Sequence, residues 1–203
     1  MYMNDLQGFK FIPRVQHNEA DARAIQALTV QDVIAGDFKN PTDLANPNDQ
    51  SKVDLQLNKL SQFPERYAAY KNENGSIVAY MKSNEWLAGD EAPFITNLFA
   101  RKALLLTSKI RSGSLQPKEY GVFGLVGSDS LSNQERDIIL YDLLQRSIGQ
   151  AAIKSAFAIN IVLHDNDPVT PIALNLGFIP AGTKGEAAGA PGLIQQRYRQ
   201  IIK

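Results

Sequence analysis

His164 ends an apolar run over residues 157–163 and is followed at once by Asp165, Asn166 and Asp167. An imidazole at a strand's carboxyl end, tuned by a neighbouring carboxylate, can take or give a proton near neutral pH. The plainer reading is a half-exposed loop histidine. A second constellation is Ser132-Asn133-Gln134-Glu135-Arg136, which has the spacing of a capping box. The serine hydroxyl would accept from the Glu135 N–H, and the Glu135 carboxylate would accept from the Ser132 N–H. A helix starting there aims unpaired N–H groups back at the preceding strand end, a ready site for an anion. Glu119 is a third ionisable group, just ahead of the strand that begins near Tyr120. Solvated strand-end glutamates are the common case, because charged side chains are mostly exposed.

Those residues need elements to hold them. Residues 121–126 read as an apolar strand, then a polar loop, then an amphipathic helix from about Asn133 with Ile139, Leu140, Leu143, Leu144 and Ile148 on its buried face. Gly149 lies near that helix's end, although Ala151-Ala152-Ile153 could extend it. Residues 157–163 are too apolar for a half-exposed strand and predict a central one covered on both faces. A short helix closes on Leu176-Gly177-Phe178, a Gly/Ala-rich loop spans 181–192, and residues 193–202 predict a closing strand paired with the one at Phe178.

The N-terminal half predicts a strand over 9–15, a helix capped by Asn18 and running to about Ile34, and a loop to Asp49. A helix carrying Val53, Leu57 and Leu60 follows, with Pro64 just beyond. Asn74-Gly75 between two runs rich in aromatic and β-branched residues predicts a hairpin. Tyr67, Tyr70 and Tyr80 on that hairpin are cross-strand packing partners or the lining of an acceptor pocket. Residues 94–110 predict a further amphipathic helix.

The 203 residues suit one domain over 1–203, with 21 basic and 21 acidic side chains giving a formal net charge of zero. No global basic field favours nucleic acid or an anionic membrane surface. With no cysteine and only two histidines, thiolate chemistry and a histidine-rich metal site are not expected. No apolar run reaches the roughly 20 residues of a membrane span, and no basic-then-apolar leader opens the chain, so the expected location is cytoplasmic.

Helix–strand alternation around a central apolar strand, followed by Asn166 and then Leu176-Gly177-Phe178, resembles the GNAT superfamily of N-acetyltransferases. The resemblance implies an α/β fold, a mixed central sheet of six to seven strands flanked by helices. It implies acetyl-CoA in the opening between two splayed parallel strands, with Phe123, Leu125 and Val126 on the arm of the cofactor. Ser132, Asn133, Gln134 and Arg136 would then lie at its diphosphate and Asn166 farther along. A base, Glu119 or His164, would serve a small-molecule or peptide amine acceptor.

Two features depart from the family pattern. The glycine-rich phosphate loop has Leu131, Gln134 and Arg136 in its key slots, and Glu135 adds a negative charge beside them. The frequent general acid, a tyrosine seven positions after the asparagine, is replaced by Ala173. Acetyl transfer to a primary amine is the first expectation. A non-catalytic module of the same fold is the second, and an unrelated α/β fold the third. A homodimer through a strand edge or through the helix at 94–110 is left open.

Overall fold

The computed structural model describes residues 6, 8–35, 49–87, 118–187 and 190–202. The elements in order are β1 (Phe9–Ile12), α1 (Glu19–Ala35), α2 (Gln50–Gln62), a short 3-10 turn (Pro64–Arg66), β2 (Tyr67–Asn72) and β3 (Ile77–Leu87). Then come β4 (Lys118–Gly127), α3 (Asn133–Ile153), β5 (Ala158–His164), α4 (Val169–Asn175), β6 (Ile179–Pro180), β7 (Gly185–Ala187) and β8 (Ala190–Ile201). The helix predicted over 94–110 and most of the loop before Asp49 lie outside the described residues.

Local chemistry accounts for the boundaries. Asn18 Oδ1 accepts from the Asp21 N–H at 2.8 Å and starts α1. The Asp49 side chain accepts from the Ser51 N–H and starts α2. Asn74-Gly75 makes the β2–β3 turn, where Gly75 sits at φ +77°. The capping box at Ser132 forms as predicted. Gly149 does not stop α3, which continues to Ile153, since a glycine within a helix costs only about 1 kcal/mol.

All strands join one mixed sheet in the order β1-β2-β3-β4-β5-β8-β6, with β7 paired to β8 off that path. That is eight strands among the described residues, one beyond the expected range. The extra one is β7, in the segment predicted as a loop, and β8 begins earlier than residue 193 for the same reason: the loop folds back on itself as a ladder. Among the described residues only β4 and β5 run parallel. One face of the sheet packs against α3 and α4 through Ile139, Leu140, Leu143, Leu144, Ile159, Ile161 and Phe178. The other face packs against α1 and α2 through Ile25, Leu28, Val53, Leu60, Tyr67, Tyr80 and Val126. Tyr67, Tyr70 and Tyr80 are therefore packing residues in these two cores.

Candidate active site

The opening between β4 and β5 comes from two features of the ladders. β4 pairs with β5 only from Glu119↔Ala158 to Val122↔Ile161, yet the two strands run on to Gly127 and His164. On its other edge β4 keeps pairing with β3, but the register shifts: Lys82 faces Gly124 while Ser83 faces Val122. Phe123 is the extra residue of a β-bulge. A bulge bends its strand and increases its twist, and here it turns the end of β4 away from β5. Beyond Val122 the backbone groups of β4 that would face β5 have no ladder partner. Those groups must bond water or a ligand.

β4 and β5 are parallel, so their C-terminal ends share one edge of the sheet. Leu125, Val126, the start of α3, His164 and Asn166 gather there. Leu125 is buried toward α3 and Val126 toward α1. His164 Nδ1 lies 2.9 Å from the Asp165 carbonyl oxygen. Its Nε2 lies 3.4 Å from Asp167 Oδ2 and is buried without a hydrogen bond. Burial raises the Asp167 carboxyl above its ordinary value, and the Val169 N–H and the nearby His164 only partly oppose that. Asn166 is exposed and holds φ +66°, a left-handed conformation that asparagine tolerates better than most residues. Ala173 is fully buried in α4, so its place is a core contact.

The loop from β4 into α3 is closed on itself. Glu135 accepts from the Ser132 hydroxyl at 2.6 Å and the Ser132 N–H at 2.9 Å. These bonds, the hydroxyl's first, hold the Glu135 carboxyl below its ordinary value. Arg136 folds back over Gly127 and donates to Asn133 Oδ1 at 2.8 Å and Asp129 Oδ1 at 3.2 Å. Gln31 of α1 clamps the loop from outside, donating to the Gly127 carbonyl at 2.9 Å and accepting from the Asp129 N–H at 3.1 Å. Ser132, Asn133 and Gln134 are exposed at the helix N-terminus. The Ser132 N–H is taken by Glu135, so only the Asn133 and Gln134 N–H groups are left for an anion, beside a carboxylate already in place.

Glu119 is at the opposite end of the strand pair from His164, so the structure does not bring these two candidates together. Glu119 is 8% exposed, accepts from Asn160 Nδ2 at 2.7 Å, and is paired with Arg199 of β8. The plain solvated glutamate is thus corrected to a buried ion pair inside the closed part of the ladder. Asn160 and Arg199 were missed by sequence reasoning. A lone asparagine in the apolar run 157–163 was the available signal for the first, whereas Arg199 carries none.

For acetyl-CoA the fit is uneven. The bulge and the unpaired backbone of β4 suit an extended amide-bearing arm, and the histidine borders the same opening. At the diphosphate end Arg136 supplies a buried, unpartnered Nε, while Glu135 opposes the charge.

No family model matches the chain, and no curated protein sequence matches it. Solved structures do. The NatC complex bound to Gag peptide and CoA superposes with TM-score 0.63 at 11% identity, covering 96% of this chain and 99% of that one. An N-acetyltransferase from Staphylococcus aureus Mu50 gives 0.61 at 15%, covering 96% and 99%. The yncA protein of Salmonella typhimurium with acetyl-CoA gives 0.59 at 14%, covering 97% and 95%. At such identities the likeness concerns the backbone, and it extends over nearly the whole of each chain: this protein has the fold of the GNAT superfamily of N-acetyltransferases.

Proposed function

We propose that the protein transfers an acetyl group from acetyl-CoA to a primary amine. The observation that carries this reading is the bulged, splayed end of β4, where the strand's free backbone groups border His164 across the opening. Acetyl-CoA, when bound, supplies an acyl group activated as a thioester. Backbone N–H groups near Leu125 and Val126 are the donors for its carbonyl oxygen, preorganised by the β3–β4 ladder. His164 takes the proton of the attacking amine once its ring turns Nε2, buried against Asp167 at 3.4 Å, toward the opening, and Asp167 holds the ring until then. Glu119 is a structural partner of Arg199 in this scheme. Arg136 turns its guanidinium to the diphosphate by exchanging Asp129 for a phosphate oxygen.

Calorimetric titration with acetyl-CoA, followed by thiol release with a panel of primary amines, tests the reading. Saturable binding that Arg136→Glu weakens, with amine-dependent thiol release, is expected. A folded sample that binds no acetyl-CoA at millimolar concentration would overturn it. That outcome would favour the second reading, a non-catalytic binding module, for which the self-closed loop at Ser132–Glu135 and the alanine at position 173 are the motive.

A further inference from the structure

On the sheet face covered by α1 and α2, beside the bulge, donors collect without an acceptor. Lys82 of β3 faces Gly124, the first β4 residue past the bulge, and a Cβ built on Gly124 would lie 3.9 Å from the Lys82 Cβ. Both positions therefore share one face, with the Tyr80 ring alongside, its hydroxyl 3.5 Å from that Cβ position. Lys82 Nζ stands 5.8 Å from the centroid of the Tyr67 ring. Tyr67 is 2% exposed and its hydroxyl is buried with no hydrogen-bond partner. Arg66 lies against the Phe63 ring at 3.8 Å, and its Nε is also buried and unpartnered. Glu65 approaches that nitrogen only at 4.0 Å and is itself half-exposed. Lys59, at the end of α2, completes the group.

All three cations are half-buried, and Lys82 forms no ion pair among the described residues. Burial, then repulsion from Lys59 and Arg66, lowers the Lys82 ammonium below its ordinary value. Like charges gathered under partial desolvation are unfavourable unless something negative joins them. Two buried donors with no acceptor demand the same explanation.

We infer that Lys82, Arg66, Lys59 and the Tyr67 hydroxyl form an anion subsite for the acceptor, so that the amine substrate carries a carboxylate or phosphate group close to its amine. The inference rests on the acetyl-transfer reading above. Neighbouring strands are about 5 Å apart, so Lys82 on β3 and the free edge of β4 are within reach of one small molecule. A short amino acid or an aminoalkyl phosphate meets that requirement, with the anion on the cations and the amine toward the opening. A diamine would place its second cation against three others.

The test compares ethanolamine, β-alanine, phosphoethanolamine and putrescine as acceptors for the full chain, by thiol release from acetyl-CoA. An anionic amine is expected to exceed ethanolamine in kcat/KM by about tenfold or more, the worth of one charge-assisted contact, with putrescine the poorest. Which of β-alanine and phosphoethanolamine leads assigns the anion as carboxylate or phosphate. In Lys82→Met the ratio of anionic to neutral amine should collapse, mainly through KM. Equal rates for anionic and neutral amines, or a ratio that survives the substitution, would overturn the proposal.

A second arm needs no turnover and separates this inference from the acetyl-transfer reading. Inorganic phosphate and acetate are titrated while the Tyr67 ring and Lys82 side-chain resonances are followed by NMR. Saturable shifts that vanish in Lys82→Met support the subsite even if no amine is acetylated. Unmoved resonances would sink it.

Discussion

Gly127 and Arg136 interlock: a methyl group at position 127 would stand 2.8 Å from the arginine Cγ and 3.3 Å from its Cδ. The crowded atoms are near the root of the side chain, so Arg136 cannot yield by swinging its tip. It would have to leave Asn133 and Asp129. Gly127→Ala should destabilise the protein by about 1–3 kcal/mol, the range for overpacking a closed site, as measured by urea unfolding. Arg136→Ala in the same chain should recover most of the loss, because the two changes meet at one contact. Strictly additive losses would show that the clash is relieved elsewhere.

Asp142 of α3 ties the helix to the sheet and makes a separate prediction. It is 6% exposed, accepts from the Tyr70 hydroxyl at 2.7 Å and from Arg146 Nε at 2.5 Å, and Arg146 in turn covers the Phe11 ring at 3.9 Å. Asp142→Ala removes the acceptor of a buried hydroxyl and one half of an ion pair, at a cost of about 3 kcal/mol or more. Burial, then the bond to Asp142, pushes the Tyr70 phenol far above its ordinary value. In an ultraviolet titration Tyr70 should stay un-ionised until alkaline unfolding, and a normal tyrosine titration there would contradict the arrangement.

What could be read from the sequence, and what could not, follows the range of the interactions involved. Asn18, Asn74-Gly75 and the Ser132–Glu135 box act within a few residues, so their elements were legible. The bulge at Phe123 was expected only through the family resemblance, because it is a mismatch between two strands and neither strand alone encodes it. Glu119 looked like a strand-end charge until Arg199, eighty residues away, closed on it. The cations beside Gly124 come from α2, the turn before β2, and β3, and only the sheet brings them to one face. His164 stands out in the sequence because it ends an apolar run, but its contact with Asp167 depended on the turn beyond.

The same cation group predicts a pH dependence of stability. Lys82 and Lys59 both have ammonium groups lowered below 10.5 in the fold, with burial the first cause for each. Below the folded value both states are protonated, and the fold bears the full penalty of holding the charges. Between the folded value and 10.5 the unfolded chain binds more protons than the folded one, so stability rises with pH across that window. Lys82→Met should be more stable than the wild type near neutral pH, and its stability should rise less as pH approaches 10. Chemical unfolding at a series of pH values reads this directly. A variant less stable at pH 7, with an unchanged slope, would mean the lysine's packing on Tyr67 outweighs its repulsion.

Assigning the base comes down to comparing Glu119 with His164. Glu119→Gln keeps the shape and the bond from Asn160 but removes the charge facing Arg199 inside a closed ladder. The expected result is a loss of stability on the order of 2 kcal/mol, with turnover near wild type under conditions where the variant is folded. His164→Gln should act mainly on turnover. Its ring is only 12% exposed and faces Asp167, so some stability is lost as well, and turnover is compared under conditions where the variant is folded. Turnover should fall by roughly 10²–10⁴-fold, the scale of a lost general base. If instead Glu119→Gln abolishes turnover in a folded sample and His164→Gln leaves it in place, the base is Glu119. Its pairing with Arg199 would then have to open when substrate binds.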